Sequence, residues 1–134
     1  MIGVCAWALC CGPAPAQPAP AKPAPVEAAP PADAPPPYEP QLLRLAELMG
    51  ALAYLRDLCG DGDASAFHDK MASLIDAEAR SQGRKESIAG AYNRGFRDYQ
   101  VSYRACTPAA RQIVARFLAE TARLTTDLAN RYGG

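Results

Sequence analysis

The sequence predicts an all-α fold, an up-down-up-down four-helix bundle that follows an N-terminal stalk rich in proline and alanine. Apolar residues recur at spacings of three and four in four segments after residue 40, a pattern typical of amphipathic helices. Because the loops between these segments are short, consecutive helices are expected to run antiparallel. The chain therefore divides into a signal-peptide-like segment (1–16), a Pro/Ala-rich disordered linker (17–40) and a four-helix domain (41–134).

The stalk holds most of the proline, since 12 of the 13 prolines lie between Pro13 and Pro40. Proline fixes φ and removes a hydrogen-bond donor, so this stretch cannot form a helix or a central strand. It favours extended polyproline II structure and is predicted to act as a spacer. The 97 residues from Tyr38 onward can bury a modest core but are too few for a two-domain enzyme.

Charge is balanced in this chain, with 14 lysines and arginines against 14 aspartates and glutamates. The balance gives no global attraction to nucleic acid or to an anionic membrane, and nucleic acid is not expected as a partner. No apolar run reaches the roughly 18–20 residues that cross a bilayer. We therefore predict no integral membrane span.

The N-terminal segment looks like the apolar part of a secretory signal peptide. Residues 2–11 are apolar, and Ala14-Pro15-Ala16 supplies a small-x-small cleavage pattern. No lysine or arginine precedes Lys22, so the true start of the signal is expected upstream of Met1. We expect a periplasmic or otherwise exported protein. The alternatives are a cytosolic protein with an apolar start and a lipoprotein modified at Cys5, Cys10 or Cys11, none of which has the usual preceding residues.

The first two helices are predicted over about 40–59 and 64–82. Asp63 or Ser65 is expected to cap the second helix, and Gly83 is expected to stop it. Each helix is expected to bury one apolar face. These faces are Leu42, Leu45, Leu48, Met49, Leu52, Leu55 and Cys59 on the first helix, and Phe67, Met71, Leu74 and Ile75 on the second.

The third helix is predicted over about 85–104 and contains Gly95, whose interior position often marks the close approach of another backbone. The fourth helix is predicted to begin at Pro108, after Thr107 as its cap, and to run to about Tyr132. The apolar positions are Ile88, Tyr92, Phe96, Tyr99 and Tyr103 on the third helix, and Ile113, Val114, Phe117, Leu118, Leu124 and Leu128 on the fourth.

Cys59 and Cys106 are predicted to form a disulfide. Cys59 ends the first helix and Cys106 follows the third, so an up-down bundle places both at the same pole. Loss of the signal-like segment would remove the other three cysteines and leave this even pair for an oxidising compartment. Two buried thiols in a cytosolic protein are the alternative.

Five short motifs follow one another along the folded part of the chain. They are Pro37-Tyr-Glu-Pro40, Tyr54-Leu-Arg-Asp-Leu-Cys-Gly60, Ala91-Tyr-Asn-Arg-Gly-Phe-Arg97, Ser102-Tyr-Arg-Ala-Cys-Thr-Pro108 and Arg131-Tyr-Gly133. Over residues 38–133 the chain resembles a family of small secreted alphaproteobacterial proteins known only as a domain of unknown function. The resemblance implies a periplasmic or envelope setting and implies no reaction.

Asn93, Arg94, Arg97 and Arg104 are candidate binding residues on the third helix. The arginines lie on a different side from the aromatic stripe and could bind an anionic envelope component or an acidic partner. A solvated surface is the alternative. Asn93 and Arg94 stand beside Gly95, which suggests that something approaches closely there. The aromatic stripe could line a ligand pocket, although such stripes are more often core.

Glu78 falls on the apolar stripe of the second helix and is a candidate buried carboxylate. We expect it to pair with an arginine of the third or fourth helix, whereas alone in a pocket it could act as a general base. His68 is the only histidine and lacks companions for a zinc site, and the acidic turn before it fails the calcium-loop pattern. No metal or cofactor is expected.

The motifs of nucleophilic, zinc-dependent and phosphate-binding enzymes do not occur in this sequence. We therefore expect a secreted, non-catalytic interaction or accessory module of the bacterial cell envelope, with an envelope protein as its partner. The alternative is a carrier of a small apolar ligand, with a cavity between the helices near the tyrosine stripe. An enzyme is the least favoured of the three interpretations.

Overall fold

The computed structural model describes residues 34–133, which contain four α-helices and no β-strand. The helices are α1 (Glu39–Leu58), α2 (Ala64–Glu78), α3 (Gln82–Ser102) and α4 (Pro108–Tyr132). They confirm the predicted all-α fold. The signal-peptide-like segment and most of the Pro/Ala-rich stalk lie outside the described residues. None of the four helices is long and apolar enough to cross a membrane.

Helix α1 is the hub of the bundle, because each of the other three helices packs against it. Its apolar residues lie on nearly every side, which is the pattern of a helix buried all round. The single apolar face predicted for α1 was therefore too narrow, because it counted the large residues and omitted the small ones. The buried residues of α1 are Leu42, Leu45, Ala46, Leu48, Met49, Gly50, Ala51, Leu52, Ala53 and Leu55.

The four helices alternate in direction, as predicted. Helix α3 runs parallel to α1, since Arg84 contacts Glu39 near the start of both helices and a disulfide joins their far ends. Helix α2 runs antiparallel to α1, because its last residue, Glu78, meets Tyr38. Helix α4 is also antiparallel to α1, because the rings of Tyr38 and Tyr132 lie 4.9 Å apart.

The backbones of α1 and α3 touch where Gly50 and Gly95 cross. A methyl group on Gly50 would overlap the carbonyl oxygen of Tyr92, and one on Gly95 would overlap the carbonyl oxygen of Glu47. The contact is reciprocal, since each glycine lies against the residue three positions before the other. The crossing therefore needs a residue without a side chain on both helices.

This crossing joins two helices that a square four-helix bundle would place on a diagonal. Ala46 and Ala91 precede the glycines by four residues and are fully buried. Small residues four apart on each helix allow the two backbones to approach closely. Gly95 is thus confirmed as a point of close approach, but the approaching backbone is α1 of the same chain. Within the described residues, the backbones of α2 and α4 flank α1 without approaching each other.

The junction between α2 and α3 differs from the prediction. Helix α2 ends at Glu78, and α3 begins at Gln82, where the prediction placed the end of α2. The Ser81 hydroxyl accepts a hydrogen bond from the backbone N–H of Arg84 at 3.3 Å and so caps α3. Because this cap starts the helix, Gly83 lies in its first turn and does not stop α2.

Helix α4 begins as predicted and packs on α1. The Thr107 hydroxyl accepts a hydrogen bond from the backbone N–H of Ala110 at 3.1 Å. Phe117 is buried against α1. Arg44 of α1 donates to Glu120 at 2.9 Å, and this hydrogen bond holds the pKa of the Glu120 carboxyl below its usual value. The Arg44–Glu120 ion pair and the buried apolar residues around Phe117 therefore hold α4 against α1.

The predicted disulfide is present, and the Cα atoms of Cys59 and Cys106 lie 4.8 Å apart. Trypsin cleavage places Cys59 in peptide 57–70 and Cys106 in peptide 105–111. Non-reducing digestion of the protein should give one species with the summed mass of both peptides less two hydrogen atoms, which disappears on reduction. Recovery of the two peptides separately, each alkylated without prior reduction, would contradict the bridge.

The glycine crossing predicts opposite effects for two Gly→Ala substitutions. Gly95→Ala should lower the free energy of unfolding by about 1–3 kcal/mol, because the new methyl group meets the Glu47 carbonyl. Gly83→Ala is the matched control, since a methyl group there meets nothing within 4 Å and should raise stability by about 0.5–1 kcal/mol. Urea unfolding followed by circular dichroism measures both. Wild-type stability in Gly95→Ala would contradict the crossing.

Candidate functional site

The outer face of α3 carries the predicted arginines. Arg94, Arg97 and Val101 follow at spacings of three and four on α3, so they form one stripe, whereas Arg104 lies outside the helix that was predicted to contain it, because α3 ends at Ser102 and Tyr103 is extended. All four are exposed, and Val101 is 68% exposed, the most of any large hydrophobic residue in the described range. We call this stripe, together with the exposed Arg104 that follows the helix, the α3 arginine face.

The arginines of this face differ from those that lie between helices. Arg44, Arg56 and Arg84 each form an ion pair with a carboxylate. Within residues 34–133, the side chains of Arg94, Arg97 and Arg104 form no hydrogen bond or ion pair. Their donors therefore face solvent, where an acidic surface could reach them.

Asn93 is also exposed, but its surroundings differ from what the sequence suggested. The close approach expected at Gly95 is made by α1, and Arg97 lies on nearly the opposite side of α3 from Gly95. Gly95 therefore gives no evidence for an external partner. Asn93 lies at the edge of α3 that faces α2, where it lines a shallow groove with Tyr92 and Met71.

The tyrosine stripe of α3 packs between helices. The Tyr54 hydroxyl of α1 donates to the main-chain carbonyl of Tyr103 at 2.5 Å. The Tyr99 ring meets Phe117 of α4 edge to face, with ring centroids 5.3 Å apart. Burial raises the pKa of Tyr99 and of Tyr92. These rings fill the helix interfaces, and an open groove of about 220 Å³ lies beside Tyr92.

Glu78 is half-buried, not fully buried, and its partners differ from those expected. Its carboxylate accepts a hydrogen bond from the Tyr38 hydroxyl at 2.9 Å, which raises the pKa of Tyr38. Arg84 of α3 does reach Glu78, but it donates to the main-chain carbonyl at 2.5 Å. The Arg84 guanidinium also donates to the Glu39 carboxylate at 2.8 Å, and this is its ion pair.

A groove between α2 and α4 begins at this carboxylate. It encloses about 250 Å³ and lies at the pole opposite the disulfide. We call it the α2–α4 groove. The sequence did not predict this groove, because it exists only where α2 and α4 do not contact each other. Two of its lining residues, Tyr38 and Tyr132, belong to the first and last of the five short sequence motifs. Its lining residues are Tyr38, Leu42, Leu45, Leu74, Glu78, Thr125, Leu128, Ala129, Tyr132 and Gly133.

The remaining residues that could bind a metal or act as a nucleophile do not form a cluster. His68 and Asp69 are exposed neighbours on α2, with their side chains 3.5 Å apart. Among residues 34–133, no three side chains of the histidine, cysteine or acidic type come together as a metal site would need. The Cys59 and Cys106 sulfurs are engaged in the disulfide. The α3 arginine face and the α2–α4 groove combine accessibility with chemistry suited to a ligand, and they are the candidate binding surfaces.

A match to a known protein family spans nearly all of the residues that the structure describes. Residues 37–132 match the family described as Protein of unknown function (DUF2385). No curated protein and no solved structure matches the chain. Because the match spans well over half of the sequence, the chain belongs to this family.

Proposed function

We propose that this member of the DUF2385 family is an exported, non-catalytic interaction module of the bacterial cell envelope. Its partner is a protein with an acidic surface, and it binds through the α3 arginine face. The observation that carries the proposal is that Arg94, Arg97 and Arg104 are all exposed and have no ion-pair partner among residues 34–133.

The residue types on this face suit a protein partner. Each guanidinium presents donors in a planar fork that fits a carboxylate in bidentate fashion. Arginine is enriched at protein–protein interfaces, where most other charged residues are depleted. Val101 lies one turn beyond Arg97 on the same face of α3 and offers an exposed apolar contact beside the arginines. An acidic surface with a small apolar patch is the complement of this face.

Export is supported by two features of the chain. The disulfide between Cys59 and Cys106 suits an oxidising compartment, since cytosolic proteins rarely keep such bonds. The Pro/Ala-rich segment between residues 17 and 40 has the composition of a semi-rigid spacer. Such a spacer would hold the helical domain away from the membrane at which the chain was exported.

The carrier alternative has less support from the described residues. It placed a ligand cavity at the tyrosine stripe, where the rings of Tyr99 and Tyr103 pack against α1 and α4. Catalysis has less support again, because the Glu78 carboxylate is hydrogen-bonded to the Tyr38 hydroxyl, and the nearby Arg84 is engaged by the Glu39 carboxylate and by the main-chain carbonyl of Glu78. We therefore favour protein binding as the function.

Site-specific photo-crosslinking in living cells tests the proposal. A benzophenone amino acid in place of Val101 should give a discrete crosslinked species from the envelope. The double variant Arg94→Glu with Arg97→Glu should reduce its yield about tenfold or more, because both contacts become repulsive. The same charge change on α4, Arg111→Glu with Arg123→Glu, should leave the yield unchanged.

Two results of this experiment would contradict the proposal. One is the absence of any crosslinked protein in cells that express the tagged chain at normal levels. The other is an equal loss of the crosslink in both double variants, since that would indicate a general charge effect. Circular dichroism of each purified variant confirms that the helices remain folded.

A further inference from the structure

The α2–α4 groove has no role in the proposed binding to a protein partner. Its lining comes from α1, α2 and α4, with no residue of α3. On α1, Leu42 and Leu45 line the groove, whereas Gly50 contacts the backbone of α3. The groove and the α3 arginine face are therefore two separate surfaces.

We propose that the α2–α4 groove binds a small amphipathic cation, an ammonium group carried on an apolar body. The Glu78 carboxylate receives the ammonium group, and the leucine side chains receive the apolar body. This proposal does not depend on the proposed partner of the arginine face.

The walls of the groove are suited to an apolar body. Leu42, Leu74 and Leu128 come from three different helices and line it together. The rings of Tyr38 and Tyr132 stand 4.9 Å apart at 45° to each other. Tyr132 is 43% exposed even so, which leaves an aromatic surface open to a ligand. A cation beside such rings is attracted by their negative faces.

The charge of the groove is suited to an ammonium group. Glu78 is the one carboxylic acid among the described residues that line the groove, and these residues include no lysine, arginine or histidine. Arg84, which lies close by, is already engaged by the Glu39 carboxylate and by the main-chain carbonyl of Glu78. Within the described residues, the Glu78 carboxylate has the Tyr38 hydroxyl as its hydrogen-bond partner and has no cation. A bound ammonium group would supply that cation, whereas an anionic ligand would be repelled.

The size of the groove limits the ligand. Its volume of about 250 Å³ is below the roughly 300–1,000 Å³ typical of pockets for drug-sized molecules. A short alkyl or aryl chain that ends in an ammonium group fits this description. We therefore use hexylammonium as the probe and 1-hexanol as its neutral counterpart of matched length.

Amide NMR titration of the full-length protein at neutral pH tests the proposal. Hexylammonium should shift resonances of residues that line the groove, and Glu78→Gln should weaken its binding about tenfold or more. Asp76→Asn is the matched control, because Asp76 is an exposed carboxylate on α2 outside the groove, and it should bind hexylammonium like the wild type. 1-Hexanol should bind the wild type and Glu78→Gln equally, which also shows that the variant keeps an intact groove.

Three outcomes would overturn the proposal. The first is the absence of hexylammonium binding at millimolar concentration, and the second is equal binding to the wild type and Glu78→Gln. The third is binding that emerges only after Lys22→Gln, since the lysine of the chain's own N-terminal segment would then be the occupant. Photo-crosslinking at position 101 should be unchanged in Glu78→Gln, so failure here and failure of the partner proposal are distinguishable.

Discussion

The backbone contact between α1 and α3 at Gly50 and Gly95 determines the arrangement of the other two helices. A square bundle keeps diagonal helices apart and lets each helix touch two neighbours. Here the diagonal pair meets directly, so α2 and α4 lie on either side of α1 and leave a groove between them. The same contact turns the opposite side of α3 outward, where the arginine face lies. Both candidate binding surfaces therefore follow from two residues without side chains.

Contacts at both poles hold the crossing in register. At one pole the disulfide ties the end of α1 to the segment that follows α3. At the other, Arg84 pairs with Glu39, and their side chains are only 14% and 13% exposed. The disulfide stabilises the fold by restricting the unfolded chain, whereas the shielded ion pair stabilises it by an attraction that salt screens only weakly. Together with the glycine contact, which lies between them, they fix α3 to α1 at three points along the bundle.

Local chemistry explains which features could be predicted from the sequence. Thr107 and Pro108 form a strong start signal, and the structure begins α4 there. The disulfide followed from topology, because alternating helices bring Cys59 and Cys106 to one pole. The α2–α3 junction could not be predicted, because the Ser81 cap and the stop signal expected of Gly83 lie two residues apart and only tertiary packing decides between them. The α2–α4 groove could not be predicted either, since no sequence pattern reports which helices stay apart.

The most direct test of this account is the measurement of inter-helix proton contacts at the crossing. In a ¹⁵N/¹³C-labelled sample, nuclear Overhauser effects should connect the α-protons of Gly50 with the amide proton of Phe96. They should likewise connect the α-protons of Gly95 with the amide proton of Ala51, since a Cβ at each glycine would lie about 3 Å from the corresponding nitrogen. Absence of both contacts, together with backbone contacts between α3 and α4, would indicate a square bundle and contradict the account.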